Sequence, residues 1–559
     1  MNPLRSLRPL VRHFLGSLIG RGVLQDDGVE AVRGLLFGVV AGLVSVGFML
    51  PRQFSRIYLE LGYLPDPEPF RRAMVTDSMF MLTLPFLVAM VVAALVAPSM
   101  FPDEVDYLTL VPLPITRRRI FAAKLAALAL FVGALLLSLA AFAAIAFPMF
   151  THQRWAEGTI TGRILAHGLA AMSSGVLGFG CVLAIQGLGS MWAPRQWLQR
   201  LGVIVPSAVI TGAILALPFV LQLPAQRMWV ASEPAVLAFF PPAWFVGMER
   251  VLLGVANPYW QRMAWTGVLG TSAVIVAGIC AYALLYRRFE RLVLPPPRDT
   301  RTGTTSARPP LPQMGVWPFT RATLWRNRLP LLLFLVFAAI GGGVVTKALL
   351  DGFLTSTFRW DEPAPPALLA AAVGFPLVLM LTGLTGLRTS FLLPVQSRAN
   401  WIFRVTDGPE PRAQHLAAVD RACLRLVVVP VLAIAVPLQF WVIGIDAWRT
   451  VLLSALAGLA MAEVMLLDWR RVPFTCTWIP GKRPLVFTLI GALIIYVLVT
   501  SLLASLFQLS LFSWPLFLSL SGTLLIVTAI ARDRRQRAWL TQPLQFEDEP
   551  FRIQVLGLR

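Results

Sequence analysis

Apolar stretches close to 20 residues long recur along the whole chain, separated by short segments in which the charges collect, and this pattern constrains the fold more than any other feature. Candidate spans fall at residues 34–50, 79–101, 122–147, 164–192, 201–222, 263–285, 329–350, 365–392, 425–445, 450–468, 485–505 and 511–530. A helix rises about 1.5 Å per residue, so each stretch suits a hydrocarbon layer about 30 Å thick. Backbone amides inside such a layer find no water and must bond to one another, which a helix achieves within a single segment. The chain therefore reads as an all-α polytopic membrane protein with about twelve transmembrane helices. Its 559 residues are 57% hydrophobic and 14% charged, a balance that would leave a soluble domain with far too much exposed apolar surface.

Lys and Arg outnumber Asp and Glu by 48 to 28, for a net charge of +20. Such an excess suits nucleic acid or anionic lipid, and its placement decides between them. The positive charges sit in short connections between apolar runs, without a basic stripe interleaved with aromatics, so the expected partner is the lipid bilayer and not nucleic acid. With the N-terminus in the cytoplasm, 35 of the basic residues fall in inside segments and 12 in outside segments. The positive-inside rule then places both termini in the cytoplasm of a cell that keeps this multi-pass protein in its inner membrane. The first outside loop runs against the rule, since it holds Arg52, Arg56, Arg71 and Arg72. The N-terminal segment has no uninterrupted apolar core and is expected to be retained, not cleaved as a signal peptide.

Residues 295–315, rich in Pro, Thr, Gly and Arg, can bury no core and read as a cytoplasmic linker. It separates an N-terminal half, 1–294, from a C-terminal half, 316–559, with six helices in each. The halves look like distant repeats. The LPFLV run at 84–88 in span two has a counterpart in FPLVL at 375–379 in span eight, and the loops that follow run in parallel. Each half also opens on an amphipathic segment. Leu4, Leu7, Val11, Phe14, Leu15 and Leu18 recur at helical spacing while Arg5, Arg8 and Arg12 take other faces; Trp317, Phe319, Leu324 and Trp325 mix with Arg321, Arg326 and Arg328 before span seven. Gly34, Gly38 and Gly42 form a small-residue stripe on span one, suited to close helix packing.

Chemistry is sparse. The four cysteines are scattered without a CxxC pair, and the four histidines lack ligand spacing, so neither a disulfide framework nor a metal site is expected. No catalytic constellation is visible. Glu463 and Asp468 lie toward the cytoplasmic end of span ten, with Arg470 or Arg471 as the expected partner of Glu463, and His167 lies near the outer end of span four. An ion-coupled carrier needs ionisable groups near mid-depth, and few are in evidence. No GxxxxGK[ST] occurs, and the soluble pieces are too short to house a nucleotide-binding domain.

The segment between spans two and three, residues 101–125, is the most informative. It opens with Asp103, Glu104 and Asp106, continues through Tyr107, Leu108 and Leu110, breaks at Pro112 and Pro114, and returns to the membrane on Arg117, Arg118, Arg119 and Lys124. An acidic start, a leucine turn, a Leu-Pro-hydroxyl step (Leu113, Pro114, Thr116) and a following Lys resemble the permeases of type-2 ATP-binding-cassette exporters. The resemblance implies that this loop docks on a separate nucleotide-binding ATPase subunit, which alone would carry ATP and magnesium. The loop FFPPAWFVGMERVLLG, residues 239–254, is similar to the re-entrant or interfacial helices that such permeases carry between their last two spans, with Glu249 and Arg250 kept polar. The resemblance covers residues 30–290 best. In the second half the equivalent loop, 392–424, lacks the acidic start and the Leu-Pro step, and Trp401, Phe403 and Arg404 are its candidates for a second contact. The segment 468–485 is a further polar connection. An ion-coupled carrier and a non-transporting membrane scaffold are the alternative readings.

Overall fold

A computed structural model describes residues 3–20, 54–96, 115–192, 195–255, 257–287, 316–354, 364–393, 403, 405, 407–475 and 485–542. Among these residues the secondary structure is entirely helical. Ten of the described helices are long and apolar enough to cross a membrane. The chain divides into two units, Met1–Thr302 and Gly303–Arg559.

In the first unit, α1 is Pro3–Gly20, α2 is 54–63, α3 is Glu68–Val96, α4 is Arg117–Phe150, α5 is Ile160–Trp192 and α6 is Arg195–Val220. A short helix α7, Arg227–Ala231, leads to α8, Pro241–Leu252, and then to α9, Pro258–Arg287. Prolines open several helices, as at α8, where the missing N–H is one that the first turn leaves unbonded in any case. Pro85 lies within α3 and Pro206 within α6, a position that packed neighbours make tolerable in a membrane helix. The core forms where α3 packs on α5, with α4 and α9 on other faces of α5 and α6 on α3. At the α3–α5 crossing, Gly178 lets the backbones meet, since a Cβ there would stand 2.5 Å from the carbonyl oxygen of Phe86.

The second unit contains α10 (Val316–Arg326), α11 (Arg328–Leu354), α12 (Pro366–Phe391), α13 (Pro409–Cys423), α14 (Val429–Ile443), α15 (Ala447–Met465), α16 (Leu485–Ser510) and α17 (Trp514–Thr541). A π-helical turn, Leu424–Val428, joins α13 to α14 without a break. Here α12 is central: it packs on α11, α14, α15 and α16, while α17 lies along α15.

The packing of the two units runs in parallel. The proline-bearing second helix is central in each, and the amphipathic opening helix packs on the helix that begins the third span, α1 on α4 and α10 on α13. On α1 the division of faces follows the sequence pattern. Phe14 is buried with Ile120, Ala123 and Ala127, and Leu10, Val11 and Leu15 pack around them, while Arg8, Arg12 and His13 stay exposed. Gly34, Gly38 and Gly42 lie outside the described residues.

Candidate functional site

The loop expected to dock a partner, Asp103, Glu104, Asp106, Tyr107, Leu110, Pro112 and Pro114, lies outside the described residues. Its last residues begin α4 at Arg117 and Arg118, with Arg118 exposed. One and a half turns on, the Lys124 ammonium rests 4.9 Å from the centre of the Phe14 ring, tying the opening helix to the start of α4. Of the three candidates in the second half, Trp401 and Arg404 lie outside the described residues. Phe403 is half-buried, 5.9 Å from the Phe319 ring of α10 and 5.4 Å from the His415 ring of α13. Beside it, hydrogen bonds from Arg412 hold the Asp407 carboxyl below its ordinary range.

The partner expected for Glu463 from sequence is corrected by the fold. Arg535, 1% exposed on α17, lies 3.2 Å from Glu463 and also pairs with Asp420 of α13. Arg470 instead donates to the side chain of Gln542, and Arg388 pairs with Asp468 at 2.9 Å. The 468–485 connection folds back on the bundle as far as it is described: Phe474 is fully buried and its N–H donates to the Phe391 carbonyl.

The largest concentration of buried charge lies elsewhere, at the end of the first unit away from α1. There three connections meet, 64–67, 151–159 and 221–257. Trp155 donates to the carbonyl of Leu64, and Glu157 lies 3.6 Å from Arg71 and 3.4 Å from Arg250. Arg72 lies 3.7 Å from Glu68. The arginines that broke the positive-inside pattern thus include two, Arg71 and Arg72, with carboxylates beside them.

Beneath these connections, side chains from α2, α3, α5, α7 and α8 form a buried polar cluster. The Tyr58 hydroxyl donates to Asp77 at 2.9 Å, and Arg227 approaches the same carboxylate at 3.4 Å. Ser78 donates to Glu249, and His167 Nδ1 lies 3.2 Å from the same Glu249 oxygen. Arg163 donates to the Thr151 hydroxyl at 2.7 Å and to its carbonyl at 3.3 Å. Tyr58, Asp77 and His167 are fully buried, Arg163 is 1% exposed and Glu249 5%. Burial alone would push the Glu249 carboxyl up, but His167, the hydrogen bond from Ser78 and the charge of Arg163 together hold it below its ordinary value. A cavity of about 20 Å³, enough for one water molecule, opens beside Ser78, Glu157, Arg163 and Glu249.

The cluster fixes α8 in the bundle. Twelve residues make a helix only ~18 Å long, too short to cross a membrane, so α8 must be held by its neighbours. It packs on α3, α5 and α9, and Gly247 marks the closest approach: a Cβ there would stand 2.4 Å from the Trp260 carbonyl oxygen and 2.8 Å from the Ala264 nitrogen. Gly247→Ala is expected to destabilise the protein by about 1–3 kcal/mol through overpacking, read as a lower thermal midpoint in detergent. Sequence reasoning kept Glu249 polar on a helix dipping into the membrane interface, without a buried partner, and took the second span from residue 79, which left Asp77 out. The signal available was a lone carboxylate within each of two largely apolar helical runs. Among the described residues, no three His, Cys, Asp or Glu side chains gather as a metal site. The chain matches no family model, and neither a curated protein nor a solved structure matches it.

Proposed function

We propose that this chain is the membrane-spanning part of an ATP-driven exporter whose ATPase is a separate polypeptide. The observation that carries the reading is α8, a short helix folded back between the fifth and sixth spans and held by buried Glu249. It joins the other part that the family resemblance implies, the acidic, Leu-Pro and basic segment of residues 101–125. Ten candidate spanning helices, the further apolar helix Leu485–Ser510 and the apolar run 34–50 make twelve spans, six in each half. Two halves in one chain would supply a complete translocation pathway, with ATP and magnesium held by the partner beneath them. The charge asymmetry sets the docking segment and both termini in the cytoplasm, with the protein in the inner membrane.

The test is purification of the tagged full chain from its native membrane. A co-purifying polypeptide that contains GxxxxGK[ST] and hydrolyses ATP is the expected result, and purification without any ATPase would overturn the reading. An ion-coupled carrier is the second reading, favoured by the buried Asp77, His167 and Glu249. It requires transport in vesicles driven by an ion gradient without ATP.

A further inference from the structure

A second feature of the first unit is a lateral groove, lying between α4 and α9 with α5 as its floor. Its volume is about 270 Å³ and its lining is almost wholly apolar, with Leu128 and Val132 on one wall, Ile275 and Ile279 on the other and Val176 below. The two side chains with polar ends, Lys124 and Tyr282, line it as well. The register of the helices places both at the same end. α5 and α9 run opposite to α4, so residue 282 falls near residue 124, whereas Val274 and Val176 fall near Val132. Arg118, exposed, precedes Phe121 by three residues and Leu125 by seven, which sets it on the groove-lining face of α4 about 9 Å beyond Lys124.

The groove extends over the rise from Phe121 to Val132, ~16 Å. A helix about 10 Å across would occupy roughly 1,200 Å³ over that length, several times the available volume. The slot has the width for a hydrocarbon chain, and its polarity runs from cationic at one end to wholly apolar at the other.

From this shape and polarity we infer that the groove binds one acyl chain of an anionic glycerophospholipid, with the headgroup against Lys124 and Arg118. The bilayer supplies this ligand from the side. The charge at the mouth selects acidic over zwitterionic headgroups, and the apolar slot holds the chain whatever the headgroup. The inference does not depend on the exporter reading.

The experiment reconstitutes the full chain in nanodiscs that contain trace phosphatidylglycerol or phosphatidylcholine with a photoactivatable acyl chain, and maps the labelled peptides. Expected is labelling within residues 121–132 and 274–282 that is about fivefold or more stronger with phosphatidylglycerol, the factor given by one cation beside an anionic headgroup. Arg118→Gln with Lys124→Gln should bring the two lipids to equal labelling, and Lys124→Arg should keep the preference. Gly278→Leu fills the slot at a position where a Cβ meets nothing within 4 Å, so the fold is kept and both lipids should label several-fold less. Equal labelling by both lipids in the unaltered protein would overturn the inference. So would labelling that Gly278→Leu leaves unchanged, or cross-links joining the groove to another protein in place of lipid.

Discussion

Replacement of Glu249 by alanine is expected to destabilise the first unit by about 3–5 kcal/mol, the scale for removing one partner from a buried ionic contact. The carboxylate accepts from Ser78, lies 3.2 Å from His167 and is favoured by Arg163. Its removal leaves Ser78 and His167 buried without this partner and opens a void next to the existing cavity. Thermal unfolding in detergent, with proteolysis around residues 253–257, would read the change; an unchanged midpoint would show that α8 is held by apolar packing alone. Ser78→Ala should cost less, about 1.5–3 kcal/mol, the scale for one hydrogen bond to a charged group. The pH dependence has a definite sign. A carboxyl held below its ordinary value when folded contributes stability that is complete above that ordinary value and is lost as pH falls through the depressed one. Glu249→Gln should therefore flatten the acid limb of the stability profile.

Reversal of charge at Glu104 and Asp106 to lysine should abolish ATP-driven transport while the chain still inserts. On the proposed docking role, two carboxylates that would meet basic groups on an ATPase surface become like charges facing it, at a cost of several kcal/mol. Co-purified ATPase should then fall by about tenfold or more, which corresponds to ~1.4 kcal/mol or more of lost binding. Transport of unchanged rate in vesicles supplied with ATP would reject the docking role. The same reversal placed at Asp66 and Glu68, on the other end of the first unit, should leave ATPase recovery as it was.

The helical membrane architecture was legible because it rests on the commonest physical signal, runs of apolar residues of bilayer length. Ten of the runs match helices that could span. The amphipathic face of α1 was legible for the same reason, as the spacing of Val11, Phe14 and Leu15 already assigned the buried side. Charge partners were not. Arg535 reaches Glu463 because α17 lies along α15, a fact of tertiary packing, whereas Arg470 and Arg471 were nearer only along the chain. Asp77 escaped notice because a hydropathy boundary drawn at residue 79 trims off polar residues that the helix in fact buries. Nothing local marks Tyr58 and Arg227 as its companions, one 19 residues earlier and the other 150 later.

That last separation bears on how the protein is made. When α3 leaves the ribosome, the tyrosine that will face Asp77 has already been synthesised, but its arginine is 150 residues away and the glutamate that accepts the Ser78 hydrogen bond is 171 residues away. At about 5–20 residues per second, the segment waits roughly ten to thirty seconds for these companions. Until the chain has grown past residue 227, the second span holds an uncompensated acid near its end, and the first hairpin can settle fully in the bilayer only after the fifth span has followed it.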